Sequence, residues 1–265
     1  ILQKGSPMNI ERTLFINSLV VFVLTYLITQ MLHESAHAVT GLIAGASPTL
    51  YHNHVEFNIE VSPFKQILIA AAGPLYSLFQ AVICFVISRR MKESAVVNLF
   101  WTWMMLWGYI GFFGYVFMTP FFKYGDTGFV AEQMHVPDGG QLMIGACGIT
   151  AFFFISAISL KQFAYLWRSG EKKVFFNNVI LFPLAAGVPL TTLLNLPVPT
   201  FLSLLAPLCM PWCVMMVYGQ LLGRKDVKPE TRNTSNALDK LSKPLFASLA
   251  IVVVINQILV FGIRL

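Results

Sequence analysis

The hydropathy pattern of this chain is dominated by long stretches that contain no Asp, Glu, Lys or Arg. Six such stretches occur, at 13–32, 66–88, 94–122, 139–160, 174–223 and 244–263. A helix that crosses the hydrocarbon core of a bilayer, about 30 Å thick, needs about 20 apolar residues. The fifth stretch is too long for one span, and we divide it at Pro197 and Pro199 because proline breaks helices. The pattern therefore predicts an all-α polytopic membrane protein with about seven transmembrane helices.

Basic residues are distributed unevenly among the loops that separate these stretches. If the N-terminus is cytoplasmic, all Lys and Arg residues fall on the cytoplasmic side except Lys65, Lys123 and Arg264. Cytoplasmic loops of membrane proteins carry such an excess of basic residues. We therefore expect a multi-pass protein of a bacterial inner or cell membrane, with an extracytoplasmic C-terminus. The predicted cytoplasmic loops are 89–93, 168–173 and 224–243.

The composition excludes several classes of soluble protein. Hydrophobic residues make up 56% of the chain and charged residues only 11%, whereas a soluble domain carries roughly 25% charge. The net charge of +6 is therefore attributed to cytoplasmic loops and not to nucleic-acid binding. The four cysteines all lie in apolar stretches, so no disulfide framework is indicated. Residues 1–7 precede Met8 and are interpreted as a vector-derived remnant before the native start.

One short segment outside the predicted spans has a pattern typical of β-structure. Residues 50–61 alternate polar and apolar positions toward their end, which predicts a short extracytoplasmic strand or hairpin. A strand of this kind could pair with an extended substrate or cover a site as a lid. The sequence favours neither role over the other.

The end of the first predicted span carries the residues with the clearest chemical meaning. His33 and His37 are four positions apart, so on a helix they lie on one face, about 6 Å apart along the axis. Two imidazoles in this arrangement can bind one zinc ion. Glu34 lies beside the first of them, where it can act as general base and then as general acid. Ionisable side chains within a hydrophobic helix are costly and usually functional, which favours a catalytic site over two interfacial histidines.

A catalytic zinc site has a third protein ligand, for which the sequence offers several candidates. Asp126 follows the third predicted span, where Pro120 breaks the helix, and it falls on the same side of the membrane as the two histidines. We therefore predict Asp126 as the third ligand. Asp138 has the same sidedness, but we interpret it as an N-terminal cap of the fourth span. The remaining candidates are histidines outside the first span: His52, His54 and His135.

Three ordered motifs resemble those of the site-2 protease family of intramembrane zinc metalloproteases. The run His-Glu-Ser-Ala-His at 33–37 ends the first span, and Ala-Ala-Ala-Gly-Pro-Leu at 70–75 resembles the family's alanine-glycine-proline signature. Residues 117–128 resemble the element in which a proline is followed by aspartate and glycine. The chain departs from the family in having Thr127 directly after the aspartate and no asparagine ahead of the proline.

The resemblance covers roughly residues 14–160 and carries implications for domains and for chemistry. It implies a metalloprotease core at 8–160, whereas 161–265 supply additional transmembrane helices and the loop 224–243. It also implies that His33, His37 and Asp126 bind Zn²⁺, with Glu34 as the catalytic residue. Ahead of Pro120, where the family has an asparagine, this chain has the run Phe-Met-Thr at 117–119.

Two classes of function are compatible with these residues. The first is a zinc-dependent endopeptidase that hydrolyses a peptide bond in a membrane-embedded or membrane-adjacent protein or peptide. The second is a membrane transporter or zinc-binding protein without hydrolytic activity, which would have no need of Glu34 beside His33. A di-iron membrane oxidase is excluded because five histidines cannot supply its ligands. We expect the partners to be a membrane protein or peptide substrate and the lipid bilayer, with no nucleic acid.

Overall fold

The computed structural model describes residues 7–91, 94–167, 170–198, 204, 207–226, 238 and 240–265. The helices are α1 (Pro7–Ala44), α2 (Pro63–Arg90), α3 (Ala95–Met118), α4 (Asp126–Gln133), α5 (Asp138–Ala164), α6 (Lys172–Leu194), α7 (Pro207–Gly223) and α8 (Lys243–Leu259). The strands are β1 (Pro48–Leu50), β2 (Val55–Phe57) and β3 (Ile263–Arg264). The predicted remnant at 1–7 lies almost wholly outside the described residues. Parts of the three predicted cytoplasmic loops, at 92–93, 168–169, 227–237 and 239, also lie outside them.

Within the described ranges, five helices are long and apolar enough to cross a membrane: α1, α2, α3, α5 and α6. The helical architecture expected from the hydropathy pattern is therefore confirmed, and it is compatible with an integral membrane protein. Helices α7 and α8 are also apolar but have at most 17 residues, fewer than the roughly 20 that a span needs. Seven spans and the orientation of the chain in the membrane stay predictions.

Helix α6 ends close to the point where we divided the fifth apolar stretch. Its last residue is Leu194, and residues 195–198 are not helical. The backbone N–H of Asn195 donates to the carbonyl of Thr191 at 3.0 Å and closes the last turn. Pro197 then has no N–H to offer to a continuing helix. The second proline of the predicted break, Pro199, lies outside the described residues.

Helix α1 is the central helix of the bundle. It packs against α2, α3, α6 and α8, and its residues 20–27 are all buried. A helix that is apolar on every side is buried in this way. Phe22 contacts the rings of Trp103 and Trp107 edge-on, with 5.0 Å between ring centroids in both pairs. This packing fixes the position of the following three turns of α1, which carry the two histidines.

A hairpin is present near the predicted range 50–61, but its strands span 48–57 and no strand continues to residue 61. The chain's last residues extend it to a three-stranded sheet. Strand β1 pairs antiparallel with β2, Pro48 opposite Phe57, and on its other edge with β3. The hydropathy pattern extended the last helix to residue 263, but α8 ends at Leu259 and the chain turns back toward β1. Because β1 follows α1 and β3 follows α8, an even number of crossings must separate them. If α2, α3, α5 and α6 each cross the membrane, helices α7 and α8 must therefore both cross it or both remain on one side.

Candidate metal centre

Three ligand atoms converge between α1 and the start of α4. His33 Nε2 lies 3.1 Å from His37 Nε2 and 3.0 Å from Asp126 Oδ2, and His37 Nε2 lies 3.3 Å from the same oxygen. An ion bonded at ~2.0–2.1 Å separates neighbouring ligands by roughly 3.0–3.4 Å, from octahedral to tetrahedral geometry. The three atoms therefore have the spacing of ligands around one ion, and the group His33, His37 and Asp126 could hold a metal ion.

The two histidines are held in the tautomer that metal binding requires. His37 Nδ1 lies 2.7 Å from the carbonyl oxygen of Ile69, which can only accept, so the ring proton is on Nδ1. His33 Nδ1 lies 3.0 Å from Ser77 Oγ, and that hydroxyl donates onward to the Gly73 carbonyl at 3.1 Å. In the neutral rings both Nε2 atoms are therefore unprotonated, and both face a carboxylate oxygen. Because three converging acceptors repel one another, this arrangement favours a cation between them.

These supporting residues share one face of α2, which sequence reasoning did not identify. Ile69, Gly73 and Ser77 are spaced i, i+4 and i+8, so they form a stripe along the helix that faces α1. The sequence did contain a signal for this stripe, because the stripe passes through the alanine-glycine-proline motif at 70–75. The motif alone did not show that its neighbours at 69 and 77 bind the histidine rings.

Gly73 makes this close approach of α2 to the two histidines possible. A Cβ atom built on Gly73 would lie 2.5 Å from His33 Nε2 and closer still to His37 Nε2. Any side chain at this position would fill the space directly beside both ligand nitrogens. The site could therefore hold a small ion only because residue 73 has no side chain.

Asp126 reaches the site because the chain folds back after α3. Helix α3 ends at Met118, ahead of the proline, and α4 begins at Asp126 itself. Thr127 Oγ1 donates to the carbonyl of Tyr115 at 2.6 Å and lies 2.9 Å from Thr119 Oγ1. Thr127 replaces the glycine that the family resemblance would place there, and it ties the start of α4 to the last turn of α3. This role of Thr127 was not predicted.

The far end of α4 is anchored by a second set of polar contacts. Glu132 Oε1 accepts from Gln141 Nε2 at 2.7 Å and pairs with Lys123 Nζ at 3.1 Å. These contacts, the Gln141 hydrogen bond first and the Lys123 ammonium next, lower the pKa of the Glu132 carboxyl. Since α4 is tied down at both ends, the position of Asp126 is set by tertiary contacts.

Glu34 is buried beside the metal group. Its side chain interacts electrostatically with His33, His37 and Asp126. Gln30, one turn earlier on α1, donates from Nε2 to Glu34 Oε1 at 2.7 Å and orients the carboxylate. The structure therefore places the predicted catalytic residue near the predicted ligands, and it adds Gln30 as a partner that the sequence analysis did not single out.

The other ligand candidates from α4 and α5 do not join the group. The Asp138 side chain is 87% exposed and pairs with Lys123 Nζ at 3.5 Å. Its expected role as a cap is not seen either, because Pro137 is the N-cap of α5 and no side chain caps the helix. Asp138 instead occupies the first turn, where a carboxylate interacts favourably with the helix dipole. His135 follows α4 with a positive φ of 54° and is not part of the metal group.

The two histidines of the hairpin have other partners. His52 is buried, and its Nε2 donates to the carbonyl of Asn195 at 2.9 Å, which ties the hairpin to the end of α6. His54 stacks on Tyr51, with 4.4 Å between ring centroids and 3° between ring planes. Neither belongs to the metal group.

A cavity opens beside His33 on the side away from His37. It has a volume of about 50 Å³. It extends from His33 along α1 toward Tyr26, between α1, α2 and α3. The residues that line it are Tyr26, Thr29, Gln30, His33, Ser77, Trp107, Ile110, Gly111, Tyr115 and Met210. The lining combines polar and apolar side chains.

Comparison of the chain with protein-family models, with curated proteins and with solved structures gives no match. Any assignment of function therefore depends on the residues of the site. The relevant findings are the spacing of the three ligand atoms, the tautomers of the two histidines and the buried carboxylate of Glu34.

Proposed function

We propose that this protein is an intramembrane zinc-dependent endopeptidase similar to the site-2 proteases. The observation that carries the proposal is the convergence of His33 Nε2, His37 Nε2 and Asp126 Oδ2, next to the buried carboxylate of Glu34. Two imidazoles and one carboxylate are the protein ligands of many catalytic zinc sites, which keep a further position open. A site that only stores or transports a metal has no use for an unligated carboxylate at that position.

The residues of the chain have distinct tasks in this reaction. Bound zinc would polarise the scissile carbonyl and make water a better nucleophile. Glu34 accepts the proton of the attacking water and delivers it to the nitrogen of the leaving amine. Gln30 keeps the Glu34 carboxylate oriented through its amide hydrogen bond. Ser77 and the Ile69 carbonyl keep both histidines in the ligating tautomer.

The position of the site supports a substrate in or next to the membrane. His33 and His37 lie within the candidate span Glu11–Ala44, so a substrate must approach them between apolar helices. A transmembrane segment would have to unwind locally, because helical hydrogen bonds shield its peptide carbonyls. The hairpin β1–β2 follows α1 directly and could pair with such an unwound segment or cover it.

Comparison of Glu34→Gln with wild type tests the catalytic role. The variant keeps the size and polarity of the side chain, so we expect normal folding and zinc content with a rate lower by ~10²–10⁴. Quantitative proteomics of membrane fractions from cells expressing each form should reveal uncleaved substrate only with the variant. Glu60→Gln, which changes an exposed carboxylate in the same way, is the matched control. Cleavage by Glu34→Gln at the wild-type rate would refute the hydrolytic mechanism and leave a transporter or zinc-binding protein as the better hypothesis.

Metal analysis of purified variants tests the ligands and the identity of the ion. We expect one zinc per chain in the wild type, little in Asp126→Ala and a full complement in Asp138→Ala. Phenanthroline should abolish cleavage, whereas inhibitors of serine proteases should have no effect. Retention of zinc by Asp126→Ala, or iron as the native metal, would contradict the proposed site.

A further inference from the structure

One of the residues that line the cavity beside His33, Tyr115, is in direct contact with a predicted metal ligand. Tyr115 lines the cavity, and its ring stacks on the imidazole of His33 with 5.2 Å between centroids and 15° between planes. Its backbone carbonyl accepts from Thr127, the residue directly after Asp126. Tyr115 is thus connected to both elements that supply ligands.

The hydroxyl of Tyr115 is available for a substrate. Among the described residues, the hydrogen bonds of Tyr115 all involve its backbone, and its hydroxyl has no hydrogen-bond partner. The Tyr115 ring lies directly against the imidazole of His33, so the phenol is adjacent to a predicted metal ligand. A hydroxyl that lines a cavity and has no partner in the protein can donate to an acceptor of a substrate.

Most other donors of the cavity already have an acceptor within the protein. Four side chains already donate within the protein: Gln30 to Glu34, Ser77 to the Gly73 carbonyl, Thr29 to Met104 Sδ and Trp107 to Thr25 Oγ1. Tyr26 precedes His33 by seven residues, which places it about 10 Å away along the helix axis. Tyr115, by contrast, is in direct contact with the His33 ring.

We propose that Tyr115 is a second catalytic residue, whose hydroxyl donates a hydrogen bond to the carbonyl oxygen of the scissile peptide as negative charge develops on it. This inference rests on the proposed function. The water oxygen bonds to the carbonyl carbon while the π pair of the C=O bond moves to its oxygen, and Glu34 takes the water proton. The C–O double bond then re-forms and the C–N bond breaks, with its electron pair and the proton from Glu34 going to the amine nitrogen. The phenol keeps its own proton throughout.

The contribution of such a donor is specific to the transition state. The charge on the oxygen exists only after water has added, so the hydrogen bond strengthens in the transition state and hardly affects substrate binding. Removal of one donor of this kind typically costs 10²–10³ in kcat. A residue that merely supported the His33 ring would change metal content or substrate binding instead.

The variant Tyr115→Phe separates these roles, because it keeps the ring that stacks on His33 and removes only the hydroxyl. Tyr109→Phe is the matched control, since Tyr109 is a buried tyrosine of the same helix that packs against Phe113 and is not among the cavity-lining residues. Full-length proteins in detergent are assayed for zinc content, for cleavage of fluorescently labelled casein, and for binding of acetohydroxamate by calorimetry. Acetohydroxamate presents a charged oxygen to the metal and needs no turnover.

For Tyr115→Phe we expect full zinc content, an unchanged KM, a kcat lower by ~10²–10³, and acetohydroxamate affinity lower by about tenfold. Tyr109→Phe should match the wild type in all four. Wild-type kcat and acetohydroxamate affinity in Tyr115→Phe would overturn the proposal, as would loss of zinc or the same losses in Tyr26→Phe. If the wild type binds zinc but cleaves no casein, the proposed function fails in this assay. The acetohydroxamate affinities then decide the role of Tyr115 independently.

Discussion

The substitution Gly73→Ala should abolish metal binding without unfolding the protein. The added Cβ would lie 2.5 Å from His33 Nε2 and nearer still to His37 Nε2, whereas ordinary van der Waals contacts begin at 3.4 Å. The His33 nitrogen or α2 must therefore shift by about 0.9 Å, and the contact with His37 requires a still larger shift. Metal–ligand distances tolerate deviations of only about 0.2 Å, so both histidines would leave their ligating positions.

The expected size of the effect follows from related perturbations of metal sites. Loss of one supporting partner of a ligand costs about 10–100-fold in metal affinity. Displacement of both histidines at once should therefore lower zinc affinity by more than ~100-fold. The substitution should not destabilise helix α2 itself, since alanine is favoured over glycine in a helix interior by about 1 kcal/mol.

The assay is zinc affinity of the purified protein, measured by competition with a chromophoric chelator, together with thermal unfolding. Gly219→Ala is the control, because Gly219 also lies within a helix and a Cβ there meets no atom within 4 Å. A zinc affinity of Gly73→Ala within threefold of the wild type would show that the ion does not occupy the space beside the two nitrogens. The assignment of the metal centre would then be wrong.

Three further predictions concern the surroundings of the site. Ser77→Ala removes the acceptor of His33 Nδ1–H, and we expect zinc affinity to fall by about 10–100-fold in the same competition assay. Burial lowers the pKa of His52, and the nearby His54 lowers it further. The hydrogen bond to the Asn195 carbonyl acts in the opposite direction. As the pH falls through the ordinary value of about 6.5, the unfolded chain therefore takes up a proton that the folded state resists. Thermal stability should thus be insensitive to this group above that pH and decrease below it, and His52→Gln should lose this dependence. Finally, Lys225→Cys in a background without native cysteines should be labelled by a membrane-impermeant reagent only after cell lysis; labelling of intact cells would reverse the predicted topology.

Several features of this protein follow from the sequence because they depend on local periodicity. The spacing of His33 and His37 places both on one face of any helix, and the apolar run around them makes that helix continue to Ala44. The proline near residue 197 and the alternation in 50–61 are equally local signals, and the structure has a helix end and a hairpin at those places. The prediction that Asp126 lies on the same side as the two histidines followed from counting spans, and Asp126 is in contact with His33.

The choice between Asp126 and Asp138 shows where local sequence is insufficient. The run Asp-Gly-Gly at 138–140 matches the family element better than the run Asp-Thr-Gly at 126–128, yet Asp138 is exposed. The hydrogen bond of Thr127 to Tyr115 and the anchor of Glu132 decide the matter, because together they turn the start of α4 toward α1.

The remaining features were decided by contacts between residues far apart in the sequence. Strand β3 pairs with β1 across more than 200 residues, and no periodicity within either segment indicates that partner. Likewise, the stripe of Ile69, Gly73 and Ser77 acquires its meaning only when α2 packs against α1 and its polar groups meet the histidine nitrogens. The sequence determines which side chains share a face of a helix, since that depends on 3.6 residues per turn. Only the tertiary structure determines which faces meet, because that depends on packing of the whole bundle.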